Sequence, residues 1–582
     1  MAKPFPLDSA SPPAMPAAST TQLESSRAKR LRSLLILAAI AVLFIALTPN
    51  LTRFPVTWFD EGSHLHVPKT LVTYGVYADY SSEGFRYYGP TIGVGPTVML
   101  PIAAVFSVFG IGLLQARLVM VLYLAISIVL FYVLARRLGS TRFALVATAL
   151  LLTSQSVSLI EYGRQVLGEV PALVFMLLGL LAWQPAFAEI NPRLRGWLQL
   201  IFVGIMFGLT TITKNQFLLV LAPSLGLAWL VCSVFLRLRW QTVAARQTFA
   251  ALPHRLFLVP LIAMMACYGI WQVLIVLSLG PSNVQENFRI LRDATAGAAF
   301  VFSTDAMRRA GGELLSQRAY GRLVLPALGY AALLAWLLLK PASSKSTTRT
   351  WPQAFESNTH FWLVLFIFVG INMVWFVGAS IGWVRYAFPG LVLSALFVAR
   401  LLGDLVNGFG LQWPLNRSTP STRSTTGQNA ARIPTLLMTV LTWGLVAWAV
   451  FVVVTNSVGL VQNVAAPPPP AAQNMAAYLD EHVPLTATIE TWEPEMGFLT
   501  DHRYHFPPNA LLSKSVNLMF SQGPDLAGFY NFMENTTGAP PPDYVLQGKF
   551  GQWVQVYPQA TLDQHYRQVA GFGTYSLYTR VK

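Results

Sequence analysis

Repeated long apolar stretches constrain the fold of this chain more than any other feature. The runs cover residues 34–47, 118–134, 143–157, 170–183, 197–211, 217–236, 256–279, 323–339, 361–377, 387–402 and 436–454. A straight helix needs about 20 apolar residues to cross the hydrocarbon core of a bilayer, so the shorter runs must borrow flanking residues or lie where the bilayer is thin. The sequence therefore predicts a polytopic α-helical membrane protein with about 11 transmembrane helices.

The charge of the chain agrees with a membrane protein. Of the 582 residues, 54% are hydrophobic and 11% are charged, whereas soluble domains are about 25% charged. The net charge of +15 does not indicate nucleic acid as a partner, because the basic residues fall in short loops between apolar runs. Cys232 and Cys267 both lie inside apolar runs, which excludes a disulfide framework and a cysteine zinc site.

The distribution of basic residues predicts the orientation. The cluster at Arg27, Lys29, Arg30 and Arg32 precedes the first run, which we interpret as a retained signal anchor rather than a cleaved signal peptide. With this cluster inside, every later short basic loop also lies inside. Residues 91–110 would invert that pattern if they spanned the membrane, so we expect juxtamembrane helices there. The prediction is an integral plasma (inner) membrane protein with a cytoplasmic N-terminus.

Composition divides the chain into four segments. Residues 1–32 read as a disordered cytoplasmic tail, 33–458 as the transmembrane domain, 459–471 as a proline-rich linker and 472–582 as a small C-terminal extracytoplasmic α+β domain. Within this last domain, β-branched and aromatic content predicts strands at 486–491, 544–546, 553–557 and 575–579, and helices at 472–479 and 562–569.

Asp60 and Glu61 follow Trp58 and Phe59 in the first loop after the first apolar run. A carboxylate at a membrane interface can act as a general base or bind a divalent cation. It can also be a solvated loop acid or a helix N-cap. The other charges predicted on the same side favour a functional role.

Three further loops on that side carry ionisable residues. Glu169 begins an apolar run just before Pro171. It is either a second carboxylate in the same site as Asp60 or a charge matched to a helix N-terminus. Lys214 lies in a polar break and could bind a phosphate or reach toward headgroups. Arg385 could clamp two phosphate oxygens, while Tyr386 beside it also fits an interfacial aromatic belt.

The order of these motifs resembles a known family. The carriers are Trp58-Phe59-Asp60-Glu61, the stretch 163–171 that contains Arg164 and Glu169, residues 208–216 around Lys214, and Arg385-Tyr386-Ala387-Phe388-Pro389. Together they resemble the membrane-embedded C-type glycosyltransferases that use polyprenyl-phosphate sugars, and more narrowly the protein O-mannosyltransferases and lipid A aminoarabinose transferases.

That resemblance implies inverting transfer of a sugar from a polyprenyl-phosphate donor to a hydroxyl of an extracytoplasmic protein, lipid or glycan. Asp60, Glu61 and Glu169 are the candidate catalytic residues, with Asp60 as the base. Lys214 and Arg385 would hold the leaving phosphate. A metal ion is not required, although Asp60 and Glu169 could bind a divalent cation.

Three roles are less determined by the motifs. Arg86 is a further candidate for binding the donor phosphate, because many relatives carry a basic residue before paired prolines where this chain has Tyr88-Gly89-Pro90. Arg164 and Tyr386 are candidates for binding or orienting the acceptor. The main alternative is a transporter or flippase of lipid-linked sugars, which predicts ionisable residues near the middle of spans and inverted repeats.

Overall fold

Apolar helices make up most of the chain up to Ala465. The computed structural model describes residues 18–86, 93–188, 194–239, 253–316, 319–339, 359–406, 432–521, 526–534 and 540–581. The helices before Ala465 are Ala18–Ala46, Phe59–Tyr74, Pro96–Phe109, Leu113–Leu138, Thr141–Thr153, Leu159–Tyr162, Glu169–Trp183, Leu194–Thr213, Leu218–Arg239, Val259–Leu279, Pro281–Ala299, Thr304–Ser316, Ala319–Leu339, Thr359–Ala379, Phe388–Leu405 and Arg432–Ala465.

Within the described residues, 8 helices are long and apolar enough to cross a membrane, or 9 if the bent pair Thr304–Ser316 and Tyr320–Trp336 forms one span. Ser33–Ala46, Pro96–Phe109 and Thr141–Thr153 are apolar but shorter. These findings confirm an integral membrane protein, whereas the count of 11 stays a prediction. Pro96–Phe109 has 14 residues, fewer than the roughly 20 of a straight span, because Gly95 and Gly110 flank it.

Large aromatic side chains fill the centre of the helical part. Trp183 is fully buried and meets the rings of Phe207, Phe257 and Phe361 edge to face, at centroid distances of 5.7, 5.5 and 6.4 Å. These residues come from four different apolar runs. Edge-to-face packing in a dry core fixes the relative positions of the helices that carry it, so the ends of those helices are rigid supports.

The first long connection, between the helices Ala18–Ala46 and Leu113–Leu138, carries two further elements. Phe59–Tyr74 forms a helix, here called the loop helix, which ends at Gly75 in the left-handed conformation with φ 73°. Strands β1 (Asp79–Ser81) and β2 (Gly84–Arg86) then form an antiparallel hairpin. The loop helix packs against both Pro96–Phe109 and the C-terminal domain, so it lies between the two parts of the protein.

The C-terminal domain contains a five-stranded sheet in the described residues. Its strands are β3 (Thr488–Thr491), β4 (Arg503–His505), β5 (Tyr544–Gln547), β6 (Tyr566–Phe572) and β7 (Tyr575–Arg580), in the spatial order β4-β3-β5-β7-β6. The β4-β3-β5 pairs are parallel and the β5-β7-β6 pairs antiparallel. Its helices are Ala471–His482, Pro494–Leu499, Leu512–Ser521, Lys549–Val554 and Gln559–His565. The small C-terminal sheet is confirmed, whereas the bounds of the domain stay a prediction.

Several predicted boundaries differ from the structure. The first helix begins at Ala18, inside the predicted disordered tail, while residues 1–17 lie outside the described part. The last long helix continues to Ala465, so it occupies much of the predicted linker 459–471. The predicted strand at 553–557 is instead the end of the helix Lys549–Val554 and a turn. The predicted helix at 562–569 is divided between Gln559–His565 and β6.

The C-terminal domain is docked directly on the loop helix. The ammonium of Lys69 donates hydrogen bonds to the carbonyl oxygens of Gly497, Phe498 and Thr500, at 3.0, 3.2 and 2.8 Å. These carbonyls lie at the C-terminal end of the helix Pro494–Leu499, where a cation is favoured. At the other end of the loop helix, the ring of Phe59 stacks on that of Phe550 with centroids 3.8 Å apart.

Gly62 permits this docking. A Cβ at Gly62 would lie 2.2 Å from the backbone nitrogen of Glu495 and 2.4 Å from its Cα, and backbone atoms cannot move aside as a flexible side chain can. We expect Gly62→Ala to destabilise the protein by about 1–3 kcal/mol, the usual cost of overpacking. Thermal unfolding of the protein in detergent measures this change.

The matched control is Gly459→Ala, because nothing lies within 4 Å of a Cβ built there. Gly459 is inside the helix Arg432–Ala465, where alanine is favoured over glycine by up to about 1 kcal/mol. A lowered midpoint for Gly459→Ala together with an unchanged midpoint for Gly62→Ala would contradict the tight docking of the two parts.

Candidate active site

Asp60 lies in the first turn of the loop helix. Trp58 precedes that helix in an extended conformation and makes no side-chain cap, so the free backbone N–H groups of the first turn favour a negative charge. The Asp60 side chain is 20% exposed, and its Oδ2 lies 2.6 Å from Nη1 of Arg385. It is therefore a partly open carboxylate at the edge of the helical bundle.

Arg385 connects Asp60 to a second carboxylate. It lies on the 3-10 turn Val384–Ala387, immediately before the helix Phe388–Leu405. Its Nε is 3.4 Å from Oε1 of Glu169, and its guanidinium carbon lies 4.2 Å from the centre of the Trp383 ring. The aromatic face holds the planar cation in place, so one guanidinium faces two carboxylates.

Glu169 and Lys214 complete the cluster. Glu169 is the first residue of the helix Glu169–Trp183 and is fully buried. The Lys214 ammonium lies 3.3 Å from its Oε1. Lys214 sits in the break after the helix Leu194–Thr213, where its backbone pairs with Val94. Two carboxylates and two cations therefore alternate in the order Asp60, Arg385, Glu169, Lys214, which we call the charge cluster.

Gly168 is required for the close approach of these loops. A Cβ at this position would lie 2.8 Å from Cδ of Lys214 and 3.0 Å from the carbonyl oxygen of Thr213. That carbonyl accepts a hydrogen bond from the backbone nitrogen of Gly95 at 3.1 Å. The glycines of two separate loops thus let the Lys214 break lie directly against the start of the Glu169 helix.

The environment of Asp60 favours its charged form. Burial acts to raise its pKa, but the attraction of Arg385 and Lys214 outweighs burial, so the pKa of Asp60 lies below its ordinary value. Burial lowers the pKa of the neighbouring His64 to about 4, and His64 is neutral at pH 7. Its Nδ1 lies 2.7 Å from the carbonyl oxygen of Val166, so this nitrogen carries the proton.

Glu61 points away from the charge cluster. Its two oxygens accept hydrogen bonds from Nε and Nη2 of Arg117, at 2.8 and 2.5 Å, and Oε1 also accepts one from the Val166 backbone at 3.1 Å. Both charged side chains are completely buried. Contrary to the expectation from sequence, Glu61 is not available as a base, because each of its oxygens is already occupied.

Arg117 was missed by the sequence analysis. It also donates to the carbonyl oxygens of Leu51 and Pro55, at 2.7 and 2.8 Å. The pair of Arg117 and Glu61 therefore fixes the start of the loop helix on the helix Leu113–Leu138. The available signal was a charged residue in the first turns of a long apolar helix, where an isolated charge requires a partner.

We expect Glu61→Gln to destabilise the protein by about 3–5 kcal/mol, because it leaves the buried guanidinium of Arg117 without its counter-charge. The double variant Glu61→Gln with Arg117→Met should recover part of that loss. Thermal unfolding and turnover of the folded fraction are the measurements.

The exposed pair of Glu286 and Arg289 supplies the control Glu286→Gln, whose midpoint of thermal unfolding should stay unchanged. A normal midpoint for Glu61→Gln with lost turnover would restore Glu61 as a base.

Arg164 and Arg86 are also placed outside the charge cluster. Arg164 donates to the carbonyl oxygens of Leu47, Pro49 and Phe54, at 2.6, 2.6 and 3.1 Å. Its guanidinium is buried, and each of its three nitrogens holds the connection after the first helix, so the structure does not support the predicted contact with an acceptor.

Arg86 ends β2 and bonds the side chain of Asn509 in the C-terminal domain. Its Nε lies 3.9 Å from Oδ2 of Asp79, and its guanidinium carbon lies 5.2 Å from the centre of the Phe506 ring. The structure therefore does not bring Arg86 to Lys214 and Arg385, and it does not support the predicted phosphate contact.

Tyr386 follows Arg385 in the sequence and therefore lies beside the charge cluster. Its ring stacks on Trp375 at a centroid distance of 5.7 Å, and Trp383 lies 6.0 Å away. Its carbonyl oxygen accepts a hydrogen bond from Asn372 at 3.1 Å. These contacts agree with an aromatic support for the Arg385 turn, and an acceptor contact by Tyr386 stays a prediction.

The same geometry bears on metal binding. Among the residues that the structure describes, no three His, Cys, Asp or Glu side chains are grouped so that they could hold a metal ion. Arg385 contacts both Asp60 and Glu169, so a guanidinium occupies the place between the two carboxylates. In this arrangement the two carboxylates are neutralised by a guanidinium, and a divalent cation bound by Asp60 and Glu169 stays a prediction.

Comparison with known proteins identifies the class of fold. Residues 94–266 match the family model of dolichyl-phosphate-mannose-protein mannosyltransferases. That segment contains Glu169 and Lys214 and excludes Asp60 and Arg385. No curated protein matches the chain. The match confirms the resemblance that the motifs predicted, to membrane glycosyltransferases of the C type.

Two solved structures share the fold over nearly the whole chain. One is ArnT from Cupriavidus metallidurans bound to undecaprenyl phosphate, at 15% identity, with 94% of this chain and 98% of that chain covered and a TM-score of 0.55. The other is the apo oligosaccharyltransferase of Archaeoglobus fulgidus, at 13% identity, covering 94% and 74%, with a TM-score of 0.52.

Proposed function

We propose that this protein is a glycosyltransferase that moves a sugar from a polyprenyl-phosphate-linked donor to a hydroxyl of an extracytoplasmic acceptor. The charge cluster of Asp60, Arg385, Glu169 and Lys214 is the observation that carries this proposal. It combines a partly open carboxylate with two cations at the ends of apolar helices. A reaction that deprotonates a hydroxyl and releases a phosphate needs both kinds of group.

The proposed reaction is a single displacement. The acceptor oxygen forms a bond to the anomeric carbon while the bond between that carbon and the phosphate oxygen breaks. The hydroxyl proton passes to the carboxylate of Asp60, and polyprenyl phosphate leaves with the bonding electron pair. Attack from the side opposite the phosphate inverts the anomeric configuration.

Lys214 and Arg385 would bind the phosphate of the donor. Negative charge develops on that phosphate as the bond breaks, and preorganised cations stabilise it best in a site shielded from water. Lys214 acts as a point charge, whereas Arg385 offers two parallel N–H groups to two phosphate oxygens. The lipid chain of the donor would remain in the bilayer beside the apolar helices.

Glu169 would act as a positioning residue. Its carboxylate is fully buried, and neither oxygen accepts a hydrogen bond of good geometry from the described residues. It nevertheless lies within 3.4 Å of both cations. Glu169 therefore keeps Lys214 and Arg385 together before the donor arrives, and its free lone pairs can accept a hydroxyl of the sugar.

Donor binding should also activate the base. In the structure, Arg385 holds the pKa of Asp60 below its ordinary value. When Arg385 turns to the donor phosphate, Asp60 loses part of that attraction and its pKa rises. The pH profile of kcat reports the pKa of Asp60 in the donor complex, and the profile of kcat/KM reports it in the free enzyme. We therefore expect kcat to fall, as the pH is lowered, at a higher pH than kcat/KM does.

Steady-state rates measured as a function of pH with a saturating and a limiting donor check this order. Asp60→Glu is a useful second variant. The acid sides of both pH profiles should shift together toward the ordinary pKa of glutamate. Coincident acid sides in the unchanged protein would show that Arg385 does not leave Asp60 when the donor binds.

The placement of the charges disfavours the transporter alternative. A transporter predicts ionisable residues near the middle of its spans. Here Glu169 begins its helix, Lys214 follows the end of another, and Arg385 precedes a third. The charge cluster therefore lies at helix ends, where an extracytoplasmic acceptor can reach it.

The orientation belongs to the same proposal. The short basic loops favour a cytoplasmic N-terminus in the plasma (inner) membrane, with the charge cluster and the C-terminal domain on the extracytoplasmic side. Incubation of the purified protein with radiolabelled polyprenyl-phosphate sugars tests the activity, and release of labelled sugar is the expected result. Intact donor in the presence of the protein, with transfer of the lipid-linked sugar across vesicles, would support a transporter instead.

A further inference from the structure

A second concave site lies between the hairpin β1–β2 and the C-terminal domain. This cleft has a volume of about 670 Å³, within the range of small-molecule binding sites. Glu83 and Arg86 of the hairpin form one wall, and residues of β3, β4 and the segments 506–509, 529–534 and 540–543 line the rest. The proposed mechanism uses none of these residues, so the cleft requires its own explanation.

A fixed polar array forms the floor of the cleft. Glu490 is 1% exposed and accepts hydrogen bonds from the hydroxyls of Tyr530 and Tyr557, at 2.8 and 3.2 Å. It also bonds Nδ1 of His505, whose Nε2 lies 2.7 Å from the carboxylate of Glu83. The array thus joins the hairpin to the sheet and holds its polar atoms in set directions.

The side chains around this floor indicate the chemistry of the ligand. Carboxylate, amide and guanidinium groups from Glu83, Asn509 and Arg503 line the cleft. Such groups bind hydroxyls as both donors and acceptors. Phe529 adds an aromatic wall that is 48% exposed, although the Lys514 ammonium lies 3.7 Å from its ring centre. Hydroxyl-binding groups beside an exposed aromatic ring suit a sugar.

The balance of charge favours a neutral ligand. The charged lining residues are the acids Glu83, Glu490, Glu534 and Asp543 and the bases Arg86, Arg503 and His505. Four carboxylates repel a polyanion, and the bases in turn disfavour a polycation. A neutral carbohydrate makes hydrogen bonds with both kinds of group without either penalty.

An extended peptide is disfavoured by the sheet itself. Strand β4 is an edge strand, and a peptide would bind there by adding a strand. The backbone nitrogen of Ser82 already donates a hydrogen bond to the carbonyl oxygen of Tyr504 at 2.7 Å. The hairpin therefore occupies part of the edge that a peptide would need.

The cleft adjoins a smaller pocket beside the loop helix. Arg86, Phe506 and Asn509 line both the cleft and a smaller pocket of about 20 Å³. That smaller pocket is also lined by Phe59, the residue next to Asp60 in the loop helix. The lining of the cleft is therefore shared, through this pocket, with the loop helix that carries Asp60.

We propose that this cleft binds a neutral carbohydrate segment of the acceptor. The assignment of the ligand as an acceptor rests on the proposed glycosyl transfer, whereas carbohydrate binding does not. It would give Arg86 a role in the wall of the acceptor site instead of the predicted contact with the donor phosphate.

An array of neutral oligosaccharides of two to eight hexose or pentose units, probed with the full-length protein in detergent, tests the binding. The unchanged protein should retain at least one glycan, and Phe529→Ala and Arg503→Ala should weaken retention at least tenfold. Trp553→Ala is the aromatic control at 44% exposure. Arg567→Ala is the arginine control, on the opposite edge strand β6. Both controls should bind as the unchanged protein does.

The proposal is overturned if the unchanged protein retains no neutral glycan, or if the two cleft variants retain it as well as the controls do. A second measurement separates this proposal from the proposed function. With the retained glycan as acceptor, the ratio of sugar transferred to sugar released into water should fall at least tenfold in the cleft variants. Intact donor together with retained glycan would overturn the proposed transferase activity and leave carbohydrate binding by the cleft standing. An unchanged ratio would overturn the assignment of the bound glycan as the acceptor.

Discussion

Asp60→Asn is expected to lower kcat by about 10²–10⁴-fold, the usual contribution of a general base. The amide keeps the size of the carboxylate and a hydrogen bond to Arg385, but it cannot accept the acceptor proton. Donor binding should persist, because the phosphate contacts belong to other residues. Sugar transfer and donor binding, measured with the same labelled donor, give the two quantities.

The matched control for this variant is Asp404→Asn. Asp404 pairs with Arg400 at 2.7 Å, with side-chain exposures of 20% and 8%, the same values as for Asp60 and Arg385. It lies at the far end of the helix Phe388–Leu405, away from the charge cluster. Equal turnover for the Asp60 variant and the unchanged protein would remove Asp60 from the mechanism and direct the search for a base to Glu169.

Arg385→Met is expected to lower kcat/KM by about 10²–10³-fold, or about 2.7–4 kcal/mol, the usual cost of losing one preorganised group at a developing negative charge. Arg385→Lys should recover only part of this loss, since an ammonium keeps the charge without the planar pair of donors. Kinetics over a range of donor concentrations separate binding from turnover.

Arg400→Met is the corresponding control, because this arginine, on the helix that follows the Arg385 turn, has the same exposed fraction and pairs with a carboxylate of equal exposure. Its loss should affect stability rather than the rate of the folded enzyme. A kcat/KM for Arg385→Met within twofold of the Arg400→Met value would show that the phosphate is held elsewhere, with Lys214 as the first residue to test.

The sequence predicted the chain's class and part of its site for a clear physical reason. Apolar runs of this length must be helical in a bilayer, because backbone polar groups have no other partners there. Asp60, Glu169, Lys214 and Arg385 could be singled out because charges at the ends of such runs are costly and few. Their convergence required the tertiary fold, since Arg385 follows Asp60 by more than 300 residues.

The missed features have a different origin. Arg117 and Glu61 neutralise each other inside the protein, and nothing local in the sequence distinguishes that pair from two functional charges. The strand β4 has three residues, too few for an alternating pattern to be recognised. His505 and Glu490 become a polar array only through the pairing of β3 with β4, so single-residue preferences could not predict the cleft.

The Lys69 contact with the carbonyls of Gly497, Phe498 and Thr500 bears on how such a protein can diversify. The loop helix, which carries Asp60, is held by the membrane part through Arg117 and by the C-terminal domain through Lys69. A different C-terminal domain joined after the prolines at 467–470 would therefore need a new set of contacts with the loop helix. New acceptor preferences should therefore arise by drift within the existing domain, not by exchange of whole modules.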